Sequence, residues 1–90
     1  MLSDIRHQIE LAAFPAGVQV THYAEGDSWV IRALQGRHGM EILLTEEAAK
    51  MYGEGPAVNL ALTRLKHAAA QELPPMRPDG TFERAVFLGD

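Results

Sequence analysis

Gly17-Val18-Gln19-Val20-Thr21-His22-Tyr23-Ala24-Glu25-Gly26-Asp27-Ser28-Trp29-Val30-Ile31-Arg32-Ala33-Leu34-Gln35-Gly36-Arg37-His38-Gly39-Met40-Glu41-Ile42-Leu43-Leu44-Thr45 reads as three antiparallel strands in one register, and that reading decides the fold. Successive side chains of a strand point to opposite faces, so a strand with one buried face alternates in polarity. Residues 18–23, 28–35 and 40–44 alternate in this way. Gly26, within Ala24-Glu25-Gly26-Asp27, can take the positive φ of a tight hairpin turn. Gly36-Arg37-His38-Gly39 supplies a glycine at each end of a four-residue loop. Closing the first hairpin at Glu25-Gly26 sets Val20 opposite Ile31, Val18 opposite Ala33 and His22 opposite Trp29. Closing the second across Gly36 to Gly39 sets Ile31 opposite Leu44, Ala33 opposite Ile42 and Gln35 opposite Met40.

Both closures put Val18, Val20, Trp29, Ile31, Ala33, Met40, Ile42 and Leu44 on one face. A one-residue slip in either hairpin would mix the two faces, so the side assignment is strongly specified. The opposite face carries Gln19, Thr21, Tyr23, Arg32 and Glu41, mixed with Val30, Leu34 and Leu43. Aliphatics on a face expected to meet water read either as ordinary scattered exposure or as a contact face for a partner.

Before the meander, residues 3–14 predict an amphipathic helix. Ser3 is its N-cap, Asp4 suits the positive end of the dipole, Ile5, Ile9 and Ala12/Ala13 form the stripe, and Pro15 ends it. After it, Thr45-Glu46-Glu47 predicts a capped helix start and Gly53 its C-terminal cap. Pro56 suits the first position of a longer helix running to about Glu72, with Val58, Leu62, Leu65 and Ala69 on one face beside Ala61 and Ala68. Leu73-Pro74-Pro75-Met76-Arg77-Pro78-Asp79-Gly80 cannot be helical and predicts an extended connector, and residues 81–88 have strand composition.

The order predicts an α+β fold, a two-layer sandwich α-β-β-β-α-α(-β), in which a three-stranded antiparallel meander packs under helices. The expected organisation is one α+β domain over residues 1–73, a proline-rich connector over 74–80, and a C-terminal strand-like segment over 81–90. That last segment must find an edge, either in its own sheet or on a partner by strand addition.

Ninety residues suffice for one modest core without metals or disulfides. The chain has no cysteine, which excludes disulfides, thiolate metal sites and cysteine nucleophiles and fits a reducing cytoplasm. Its start, Met1-Leu2-Ser3-Asp4-Ile5-Arg6, predicts no secretory leader, and no apolar run approaches the ~18 residues of a membrane span. The formal charge of −4, from 12 acidic and 8 basic residues, argues against phosphate-backbone binding.

None of His7, His22, His38 and His67 lies four residues from another, so no helical metal pair exists and no metal site is expected. Glu46 and Glu47 are adjacent and diverge by about 100° on a helix, so they form no catalytic pair. Ser3 and Ser28 lie in no nucleophile elbow, and neither glycine loop has the lysine and hydroxyl of a phosphate-binding loop. No catalytic residue and no cofactor is therefore assigned.

The helix–three strands–helix order over about residues 3–72 resembles the double-stranded RNA-binding domain in topology. In that family the long second helix opens with clustered lysines, whereas here it opens Pro56-Ala57-Val58-Asn59, so no RNA-contacting residue carries over. The expected function is a small non-enzymatic protein–protein interaction module, an adaptor, regulator or inhibitor subunit, self-associating as a homodimer. Its expected interaction surface is Val30, Arg32, Leu34, Arg37, His38, Leu43, Phe82, Val86 and Leu88. The alternatives are a small-ligand binder or enzyme with a pocket near His22, Tyr23 and Trp29, and a weak nucleic-acid-binding domain using Arg32, Arg37, His38 and Arg64.

Overall fold

The computed structural model describes residues 5–87, so Ser3, Asp4 and Leu88 lie outside the described residues. Among the described residues the elements run α1 (Ile5–Ala12), β1 (Gln19–Glu25), β2 (Ser28–Gln35), β3 (His38–Leu44), α2 (Glu46–Tyr52), α3 (Glu54–Gln71) and β4 (Glu83–Phe87). The strands form one open sheet in the order β1-β2-β3-β4. The first three make the antiparallel meander, and β4 adds in parallel to β3. Helices on one side of this sheet give the α+β, two-layer arrangement that the sequence predicts.

Both registers differ from the sequence reading by two residues. Val20 faces Ala33 rather than Ile31, and Ile31 faces Ile42 rather than Leu44. The turns explain the shift. Glu25 pairs with Ser28 around Gly26-Asp27, and Gln35 pairs with His38 around Gly36-Arg37. Each glycine has a φ of 61°, the positive value required at the first central position of a two-residue II′ turn. Gly26 thus takes the first loop position rather than the second, and the second loop shrinks from four residues to two. A displacement of two keeps every side chain on its face, so the inner face is as read. Ile31, Ala33, Ile42 and Leu44 are buried there, with Val18, Val20, Trp29 and Met40 partly buried around them.

Helix α3 covers β2 and β3 and buries Ala57, Val58, Ala61, Leu62 and Leu65. The alanines, having little side-chain volume, let its backbone approach the sheet. Helices α1 and α2 pack against α3 and add Ile5 and Ala48 to the core. Each fully buried aliphatic contributes about 1.5–3 kcal/mol, so this single cluster is what holds the two layers together. Helix α3 starts at Glu54, two residues before Pro56. Pro56 still lies in the first turn, where an N–H has no helical partner to lose.

The proline segment is tied down rather than free. The Gly39 amide donates to Pro74 O (2.9 Å), the Met76 amide donates to Arg37 O (2.8 Å), and Leu73 is buried in the core. This path delivers the chain to the β3 edge, where β4 is fastened at its far end. The Thr45 amide and hydroxyl both donate to Phe87 O (3.3 and 2.8 Å), and the Phe87 ring lies 5.6 Å from that of Tyr52. The same Thr45 hydroxyl accepts from the Ala48 amide (3.2 Å) and so also caps α2.

Candidate interaction surface on the open face of the sheet

The face turned away from the helices is built from four cross-strand rows, and the registers place each residue. Leu34 and Gly39 are paired, as are Arg32 with Glu41 and Glu41 with Arg84. Tyr23, Val30, Leu43 and Val86 follow one another across all four strands, and Glu25 pairs with Ser28 beyond them. A charged row thus runs between two apolar ones.

In the charged row a nearly buried carboxylate, Glu41 at 5% exposure, lies between two arginines. One oxygen accepts from Arg32 Nε (2.8 Å) and the other from Arg84 Nε (2.8 Å). Arg84 also donates to both oxygens of Glu25, at 2.8 and 3.2 Å. These hydrogen bonds, to Glu25 first and Glu41 second, raise the Arg84 pKa further above its usual value. In return, the Arg84 hydrogen bond and charge hold the Glu25 carboxyl below the usual carboxylate range. Arg32 donates to the Tyr23 hydroxyl (3.2 Å), and its guanidinium lies 5.5 Å from the Tyr23 ring centroid and 5.6 Å from that of Phe82, within cation–π reach of both.

Arg84 and Glu25 stand on opposite edge strands, so their ion pair reaches over β2 and β3. The two side chains must therefore lie along the sheet, over the row that contains Val30. Val30 is 0% exposed, so it supports the surface from below rather than offering a contact. Val86 and Tyr23, at the two ends of the same row, are 49% and 40% exposed, with Leu43 partly exposed between them. In the other apolar row, a Cβ at Gly39 would fall 2.7 Å from Leu34 Cδ2 and 2.8 Å from Phe82 Cδ1. Gly39 is thus the floor on which Leu34 and Phe82 meet, a close approach that a glycine inside a strand often marks.

The structure brings Arg32, Leu34, Leu43, Phe82 and Val86 onto one face, and places the hairpin-tip residues apart from it. Arg37 occupies the second loop position and is exposed. His38 is the first residue of β3, with its ring Nδ1 2.8 Å from Leu73 O. A carbonyl only accepts, so Nδ1 carries the proton, and the ring fastens the proline segment. Sequence reasoning missed Glu41, Arg84, Glu25 and Tyr23 as a connected group. The available signal was the opposite charge of Arg32 and Glu41, which the observed register sets face to face.

His22 points to the inner side and Tyr23 to the outer, and His22 lines a shallow groove of about 470 Å³ with Arg6, Ile9, Glu10, Val20 and Thr21. Among the described residues no three His, Cys, Asp or Glu side chains gather as metal ligands, and no helix is long and apolar enough to cross a membrane. Neither the protein-family models, nor the curated proteins, nor the solved structures contain a match to this chain.

Proposed function

We infer that the chain is a small non-enzymatic protein–protein interaction module of the cytoplasm, that it works by contact through the open sheet face, and that it self-associates as a homodimer. The observation that carries this reading is the charge balance of that face. Arg32 and Arg84 are each held by carboxylates, Glu41 and Glu25, so the face offers no free positive stripe for a phosphate backbone. What remains accessible is a flat, mixed surface with Tyr23, Leu43, Phe82 and Val86 at its margins. Tyrosine, phenylalanine and arginine, all present on this face, are enriched in protein contact surfaces. The lack of cysteine supports a reducing compartment.

Affinity capture from the native host, with wild-type chain and Val86→Glu as paired baits, tests the contact surface. A protein retained by the wild type and lost by a folded Val86→Glu is the expected result. Identical retention by both baits would remove the open face from the account. A rise in melting temperature on adding a small metabolite would favour the ligand-binding alternative instead.

A further inference from the structure

Strand β1 ends the sheet on one side with seven residues, Gln19-Val20-Thr21-His22-Tyr23-Ala24-Glu25, of which only Val20 is even partly buried. Sheet edges in monomeric proteins are usually blunted by proline, lysine, a bulge or a covering segment. Here the run contains no proline or lysine, and its one charge, Glu25, is at the end. The ladder shows which backbone groups are free. Glu25 and Ser28 close the turn and share its hydrogen bond. Because hydrogen-bonded and non-bonded pairs alternate in an antiparallel ladder, Tyr23, Thr21 and Gln19 bond to β2, while Ala24, His22 and Val20 direct their N–H and C=O outward.

We propose that this edge pairs with the same edge of a second copy, antiparallel about His22, to make a continuous eight-stranded sheet. The proposal rests on the reading that the chain self-associates and names the surface by which it does so. The strand is self-complementary in this register. Val20 faces Ala24 of the second copy, both on the helix side. Thr21 faces Tyr23, a β-branched and aromatic pair of the kind that stabilises sheets. Gln19 faces Glu25, a donor opposite a carboxylate. The outward groups of Val20, His22 and Ala24 supply about six inter-chain backbone hydrogen bonds. Beside β1, the groove lined by Arg6, Ile9 and Glu10 of α1 is repeated by the two-fold axis.

The opposite edge does not match itself. Strand β4 has five residues, and an antiparallel pairing about Ala85 would set Glu83 against Phe87 and Arg84 against Val86. A β1-to-β4 joint would be head-to-tail and would propagate into a filament, whereas the β1-to-β1 joint closes as a dimer.

Light scattering and sedimentation equilibrium on the full chain, from about 10 µM to about 1 mM, test the proposal with three variants. His22→Pro removes an outward N–H that β2 does not use, and proline is tolerated on edge strands for that reason. Ala24→Lys places a protective lysine at an exposed edge position and decides the outcome should His22→Pro not fold. Val86→Glu alters the open face and leaves the edge intact. The expected result is twice the chain mass for the wild type and Val86→Glu, and the single-chain mass for folded His22→Pro and Ala24→Lys. Dimers that persist in both edge variants overturn the edge joint; if Val86→Glu then dissociates, self-association stands and moves to the open face. A wild type that stays monomeric to about 1 mM overturns both the joint and self-association, and leaves the capture experiment to judge the open face. A monomeric wild type that binds a different protein, lost in Ala24→Lys, gives the edge to a foreign strand and overturns pairing with a second copy.

Discussion

Glu41 is the residue on which the open face depends. Its carboxylate has little access to water and has an arginine on each side. Removing one member of such a group leaves like charges facing each other with no acceptor between them. Arg32 and Arg84 retain about a third of their own exposure, so they can relax partly into solvent. Glu41→Ala should therefore cost about 2–3 kcal/mol, below the 3–5 of a fully buried pair. Urea unfolding should show this as a lower midpoint at unchanged slope. A loss under about 0.5 kcal/mol would put the ion pairs among ordinary surface pairs. Alternation in the sequence placed Glu41 on the outer face, but its partners were hidden behind two registers of equal parity. Only the register with Arg32 opposite Glu41 joins opposite charges, a stronger discriminator than loop length. Gly39 was equally hidden, because a glycine beside a turn reads as part of the turn rather than as the floor under Leu34 and Phe82.

At the scale of elements, the meander and the long helix were legible because each rests on local periodicity. Two glycine turns, an alternating pattern and a spaced aliphatic stripe need no knowledge of the rest of the chain. The pairing of β4 was not legible, because it depends on contacts more than forty residues apart, Thr45 with Phe87 and Arg84 with Glu41. Its clasp to β1 through Arg84 and Glu25 makes the sheet acid-sensitive in a defined sense. The folded Glu25 pKa is lowered, chiefly by the Arg84 hydrogen bond. Its contribution is thus fully present above the unfolded-chain value, about 4.3, and is lost as pH falls through the lowered folded value. Asp79 behaves likewise, its carboxyl held down by the Thr81 hydroxyl and amide. Melting temperatures between pH 3 and 7 should fall less steeply for Glu25→Gln than for the wild type. Parallel curves for the two would show that the clasp does not persist in solution.

The whole molecule is asymmetric. One side of the sheet is closed by helices over a single apolar cluster. Among the described residues, the other side is covered only by the sheet's own long side chains and Phe82, and the β1 edge is open. Apolar groups also reach solvent on the helical side, Leu11 at 70% and Leu60 at 45%. They are scattered among Gln8, Asn59 and Lys66, the pattern of ordinary exposed aliphatics. Contact is therefore expected on the sheet. Two-dimensional amide NMR of the wild-type chain over a concentration series tests this most directly. From about 20 µM to about 1 mM, the amides of Val20, His22 and Ala24 should shift or broaden, with smaller changes at their β1 neighbours Thr21 and Tyr23. Those of Val86 on the far edge strand and of Leu60 and Lys66 on α3 should stay fixed. Changes confined to the helical side, or spectra that do not move with concentration, would contradict it.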